Sequence, residues 1–186
     1  IRDAGLSRGL GDMYKRQEIE FDQRPELDRW ILSELNSLII NVDEYYNDYE
    51  PTKAARAINT FVIDNLSNWY VRLSRRRFWK GDYEKDKISA FQTLFDVLIN
   101  IAKLAAPISP FFMDRLFIDL SKNLNQSFSE SIHLENFPAV DKSKIDKKLE
   151  EKVKYAQTIS SLTLSLRAKE KIKVRQPLSK ILIPVN

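Results

Sequence analysis

From Pro25 onward the apolar residues recur at steps of three and four, punctuated by prolines and one polar stretch. The first stripe is Leu27, Trp30, Ile31, Leu35, Leu38, Ile39, Val42, Tyr45, Tyr46 and Tyr49, a period that predicts an amphipathic helix. Pro25 suits a first helical turn, and Glu26 and Asp28 sit favourably against the helix dipole. Pro51 breaks the run and can open a second helix, expected from about Thr52 to Trp79. Its apolar face on a regular α-helical wheel is Ile58, Val62, Leu66, Trp69 and Leu73. A third helix, about Lys87 to Ala105, carries Ile88, Phe91, Leu94, Phe95, Leu98, Ile101 and Ala102, and Pro107 stops it. Ser109-Pro110 reads as a cap and a first-turn proline, opening a short fourth helix marked by Phe111, Phe112, Leu116, Phe117 and Leu120.

The stretch from Ser121 to Ser131 is rich in Ser and Asn and reads as a loop, followed by an extended segment from Ser131 to Pro138. Asp141 or Ser143 can cap a fifth helix bearing Ile145, Leu149, Val153, Ala156, Ile159, Leu162 and Leu166. The period then changes to two. Ile172 and Val174 alternate with Lys171, Lys173 and Arg175, and Ile181 and Ile183 suggest a second strand after Pro177. The expected fold is therefore mostly α: an antiparallel helical bundle followed by a short extended, β-like segment that begins another domain. Residues 1–17 show no period and hold Gly5, Gly9 and Gly11. They are expected to be a disordered or foreign leader, with the bundle over 18–140 and a long helix plus the start of an α/β domain over 141–186.

Composition narrows the chemistry. Only 4 of 186 residues are glycine, which argues against a Gly-rich phosphate loop and a turn-rich β fold. With no cysteine, disulfides and thiolate metal sites are excluded. His133 is the one histidine, so an imidazole metal centre has no second ligand. The acids Asp146, Glu150 and Glu151 read as a solvated helix face. No nucleophile elbow, Walker motif or dinucleotide fingerprint occurs. The apolar runs are shorter than the ~20 residues of a bilayer span, and a cytoplasmic protein without a membrane partner is expected. A net charge of +4 leans mildly toward anionic partners.

That lean sharpens on the second helix, in the run from Asn65 to Trp79. On an α-helical wheel Asn65, Asn68, Arg72, Arg76 and Trp79 fall within an arc of ~80°. Arginine forks match phosphate oxygens, amides read base edges and aromatic rings stack on unpaired bases. Arg72, Arg75, Arg76 and Arg77 have no acid between Asp64 and Asp82 to pair with inside the helix. They are read as ligands of a polyanion, against the alternative of carboxylate partners on a neighbouring helix. Trp69, Tyr70 and Trp79 are expected to be core by burial tendency, although Trp79 also belongs to the candidate stripe. A second basic row, Lys169, Lys171, Lys173 and Arg175, would project from one side of a strand. It could track phosphates or guard a sheet edge, and the pattern favours neither.

Four segments occur together and in order: Arg24-Pro25-Glu26-Leu27-Asp28-Arg29-Trp30-Ile31-Leu32-Ser33, the Asn65–Trp79 run, Ala106-Pro107-Ile108-Ser109-Pro110-Phe111, and Ile172-Lys173-Val174-Arg175-Gln176-Pro177-Leu178. In these segments the chain resembles the bacterial isoleucyl-tRNA synthetase family from about Glu18 onward. The resemblance implies the helical bundle that holds the anticodon stem and loop of isoleucine tRNA. The parent would be a monomeric class I enzyme that activates isoleucine with ATP and Mg. No cofactor is expected in this part, whose catalytic and editing domains, with their HIGH-like and KMSKS-like signatures, lie elsewhere. A valyl-type sister bundle and a helical protein-interaction module without RNA remain alternatives.

Overall fold

The computed structural model describes residues 19–79, 84–122 and 128–183. The expected leader, and the centre of the expected Ser/Asn-rich loop, lie outside them. The described chain is helical: α1 (Glu26–Asn47), α2 (Pro51–Thr60), a wide-turn π segment (Phe61–Val71), α3 (Arg72–Trp79), α4 (Lys85–Ala105), α5 (Pro110–Ser121) and α6 (Lys147–Lys169). It separates into two compact units, one ending at Asp146 and the other starting at Lys147.

In the first unit the expected stripes do most of the packing. α1 buries Trp30, Ile31, Leu35, Leu38, Ile39 and Val42. Each such side chain taken fully out of water contributes roughly 1.5–3 kcal/mol before the entropy of ordering is set against it. Tyr49 adopts a left-handed φ of 57°. Its neighbours' N–H groups fold back onto the last carbonyls of α1 (Glu50 N to Tyr45 O, 2.8 Å), and Pro51 then starts α2. Tyr49 itself is 92% exposed, at the turn and not in the core stripe.

α2, the π segment and α3 form one rod. Thr60 and Arg72 both keep right-handed helical angles, so the backbone runs through both junctions. The rod is antiparallel to α1, since Asp28 at the start of α1 meets Tyr70 and Arg77 near the rod's far end. α4 runs alongside α1, bonded at one end through Ser89 and at the other through Tyr46, whose hydroxyl donates to the Leu104 carbonyl at 2.8 Å. α4 alone among the described helices is long and apolar enough to cross a bilayer, more than the apolar runs suggested. Yet 67% of that stretch is buried within the bundle, so protein packing uses its apolar surface. α5 closes the far side: Phe117 packs with Phe95, Ile99 and Ala102 of α4, and Phe128 stands edge-on to both Phe95 and Phe117.

The π segment changes the register of the rod. The buried positions are Phe61, Leu66, Tyr70 and Ser74, at steps of five, four and four. The regular wheel had assigned this face to Val62, Leu66, Trp69 and Leu73. Each i→i+5 turn holds more residues than an α turn, so the buried face drifts along the sequence. Leu73 is consequently 55% exposed and Trp69 half-buried, while Tyr70 is completely enclosed.

Residues 141–146 belong with the first unit. The Asp141 N–H donates to Asn36 Oδ1 and the Asp146 N–H to Ser33 Oγ, both at 2.8 Å, strapping this segment to two buried polar residues of α1. In place of the expected extended run after Ser131 there is a short 3-10 turn, Ile132–Leu134, anchored by Asp114.

The second unit holds α6 and the segment after it. No strand occurs among the described residues. Lys171 takes a left-handed φ of 54°, and Ile172 N–H returns to the Arg167 carbonyl at 2.8 Å, so the helix ends in a tight reversal. The Arg167 guanidinium then donates to the carbonyls of Lys173, Val174 and Gln176, holding the chain in a turn.

Candidate nucleic-acid interface

The rod carries the candidate residues, and its geometry divides them. α3 is a regular α-helix, so Arg72, Arg75, Arg76 and Trp79 share one face by their i, i+3, i+4 and i+7 spacing. All four are exposed, Trp79 at 69%. Trp79 is thus not core, contrary to the expectation from tryptophan's burial tendency. The three arginines make no hydrogen bond or ion pair among the described residues. The result is three solvated guanidiniums and an indole on about two helical turns, a local positive potential that no carboxylate among the described residues pairs with.

Asn68 is exposed one turn earlier. Asn65 departs from the stripe: i→i+5 turns separate it from Arg72, and it lies instead on the wall of a cleft facing α1. The 80° arc is therefore corrected by the same register drift that moved the core.

Arg77 stands on the opposite side of α3, in line with Tyr70 and Ser74. Its side chain is 15% exposed and forms a bidentate pair with Asp28, Nη1 to Oδ1 at 2.6 Å and Nη2 to Oδ2 at 2.8 Å. Nε donates to Asp86 Oδ2 at 3.0 Å, and Nη2 also reaches the Asp86 carbonyl. Asp28 is fully buried and takes a further 2.6 Å bond from Ser89 Oγ. Burial works to lower the Arg77 pKa, but the hydrogen bond and charge of Asp28, joined by Asp86, outweigh it and hold the guanidinium more firmly protonated than usual. Burial, followed by the Asp28 charge, pushes the Tyr70 phenol well above its ordinary value, so it stays a neutral donor. Sequence reasoning placed Arg77 with the phosphate ligands; its donors are committed to carboxylates of α1 and α4.

Lys169, Lys171, Lys173 and Arg175 are exposed in the second unit. They do not form a one-sided strand row: Lys169 ends α6, Lys171 is the left-handed residue, and Arg175 lies in the turn that Arg167 organises. Four nearby cations remain, without the regular spacing of a strand.

Sequence reasoning missed two groups. Arg24, almost wholly buried, bonds the Ile19 carbonyl, Thr93 Oγ1 and Asp96, fastening the residues before α1 to α4. The cleft beside Asn65, about 430 Å³, brings Lys53 and Arg56 of α2 against Asn41 and Tyr45 of α1. Its signal lay in the polar positions of α1 at steps of three and four, which an apolar-stripe reading passes over. Among the described residues no group of three His, Cys, Asp or Glu side chains gathers as a metal site.

A family model described as the anticodon-binding domain of tRNA ligase matches residues 28–182. The chain is similar to an isoleucine--tRNA ligase of Cytophaga hutchinsonii, 56% identical over 172 residues, which is 92% of this chain and 16% of the relative. It is 55% identical over 175 residues to an isoleucine--tRNA ligase of Bacteroides thetaiotaomicron, covering 94% of this chain and 15% of the relative. A relative from Dehalococcoides mccartyi, also an isoleucine--tRNA ligase, is 48% identical over 162 residues. The chain thus spans about 15% of the length of the curated relatives it matches.

Proposed function

The chain belongs to the anticodon-binding domain family of the tRNA ligases, and from that premise we propose that it is the part of an isoleucine-tRNA ligase that grips the anticodon arm of its tRNA. The observation that carries this reading is the exposed face of Arg72, Arg75, Arg76 and Trp79 on α3, whose guanidiniums have no carboxylate partner among the described residues. Phosphate contacts from such a face fix the position of an RNA, while stacking and base-edge contacts supply sequence preference. Asn68 and the cations Lys171, Lys173 and Arg175 are candidates for further contacts.

The names of the relatives favour isoleucine over a valyl-type sister as the amino acid of the parent enzyme. In that enzyme, ATP and Mg would serve a catalytic domain outside this chain, and we propose a monomeric, cytoplasmic setting. The test is a filter-binding titration of this chain with tRNA over a salt series. Affinity should fall steeply with salt, and Arg76→Ala should reduce the log–log slope by about one. Binding that ignores salt would remove the RNA reading and leave α3 as a protein-docking face.

A further inference from the structure

The cleft between α1 and α2 is built from two helix faces that meet antiparallel. Asn41 and Tyr45 come from α1, Lys53 and Arg56 from α2, and Asn65 from the π segment. Leu38, Ala57 and Phe61 also line it, and Phe61 is almost fully buried. Ala57, one residue beyond Arg56, contributes only a methyl group where a longer side chain would fill the space.

Charge is ordered along the cleft. Because the helices are antiparallel and joined at 48–50, Tyr45 lies level with Lys53 at the turn end, and Glu34 lies level with Asn65 at the other. Arg56 makes no hydrogen bond or ion pair among the described residues. Among the described residues Lys53 has only an exposed i,i+3 contact with Glu50 at 3.3 Å, the kind of surface pair that a phosphate can replace at little cost. Glu34 accepts a 3.3 Å bond from the Trp30 indole. Its negative end disfavours phosphate but can accept from the amino group of a base.

We propose that this cleft receives one unpaired nucleotide of the RNA. Its phosphate lies against Arg56 and Lys53, its ring against Tyr45, and its base edge toward Asn41 and Asn65. The volume of about 430 Å³ is at the lower end of small-ligand sites (roughly 300–1,000 Å³), suited to one nucleotide and not a length of strand. Paired bases are stacked and inaccessible to such a concave site, so the occupant is a splayed nucleotide from a loop or end. The proposal rests on the RNA reading of α3 and adds a second, base-receiving site on the other end of the same rod.

The experiment separates the two. The chain and its Arg56→Ala, Tyr45→Leu and Arg76→Ala variants, each checked for folding by circular dichroism, are titrated with an RNA hairpin bearing a seven-nucleotide loop and with a fully paired RNA duplex of equal charge. Arg56→Ala and Tyr45→Leu should weaken hairpin binding about tenfold and leave duplex binding within about twofold, whereas Arg76→Ala should weaken both. In parallel, nucleoside 5′-monophosphates should shift the side-chain amide NMR signals of Asn41 and Asn65, and inorganic phosphate alone should not. Equal losses on both RNAs, no loss on either, or identical shifts from phosphate alone would overturn the nucleotide site. An unchanged Arg76→Ala variant would instead count against the α3 reading, with the monophosphate titration still deciding the cleft.

Discussion

Arg77 holds Asp28 with both terminal nitrogens, at 2.6 and 2.8 Å, across 49 residues of sequence. The pair joins the end of α3 to the start of α1, and Asp86 and Ser89 bring α4 to the same point. Removing the arginine leaves a carboxylate with no exposure to water and, among the described residues, only the hydroxyl donors of Ser89 and Tyr70. Arg77→Ala should therefore destabilise the bundle by about 3 kcal/mol in a urea titration. Arg77→Lys should recover part of that, because an ammonium keeps the charge but cannot form the fork. A loss under ~0.5 kcal/mol for Arg77→Ala would mean that this network does not lock the three helices together.

This pair also shows where sequence reasoning stops. A search for acids within the rod finds none near Arg77, because the partner lies on another helix. One signal was available: Asp28 occupies the register of Ile31, Leu35 and Leu38, and a carboxylate on a buried stripe requires a cation or several donors. The helices themselves were legible because Pro25, Pro51 and Pro110 mark their starts and the apolar period runs between. The shift of the buried face to Tyr70 and Ser74 was not, since a change from i→i+4 to i→i+5 bonding leaves no mark in composition. Nor was the end of α6, where alternating lysines and β-branched residues suggest a strand but a left-handed Lys171 reverses the chain.

The two aromatics on opposite sides of the rod should separate stability from binding. The Tyr70 hydroxyl lies 3.1 Å from both Asp28 Oδ1 and the Ala90 carbonyl in a fully buried setting. Tyr70→Phe should cost about 1–2 kcal/mol of stability with RNA affinity intact. Trp79→Ala, at a side chain 69% exposed, should change stability by less than ~0.5 kcal/mol but cost roughly 1–3 kcal/mol in RNA binding if the indole stacks on a base. Equilibrium unfolding and filter binding on both variants check this; the reverse pattern would exchange their roles.

Acid should loosen the contact between α4 and the segment after Ser131. Glu135 accepts from Lys103 Nζ at 2.9 Å and from the Ser129 N–H at 3.0 Å, bonds that bring its pKa down to about 2. A carboxyl lowered on folding contributes stability that is complete above its unfolded value near 4.5 and is lost as pH falls toward about 2. The melting temperature should decline across that window, and Glu135→Gln should flatten the decline while lowering the value at neutral pH. An identical acid profile for the variant would assign the loss to other carboxylates.

Charge reversal on α3 tests the proposed interface most severely. Arg72 and Arg76 are exposed and without partners among the described residues, so Arg72→Glu with Arg76→Glu removes no structural bond seen there and only exchanges one i,i+4 like-charge pair for another, a difference of at most a few tenths of a kcal/mol. Folding stability should stay within about 1 kcal/mol of the parent chain. Toward a polyanion the change is larger, since two attractive charges become two repulsive ones. tRNA affinity at low salt should fall well beyond the loss for the corresponding double alanine variant, and high salt should narrow the gap by screening. If the glutamate and alanine variants bind alike at low salt, no phosphate approaches this face, and the arginines serve some other surface of the parent enzyme.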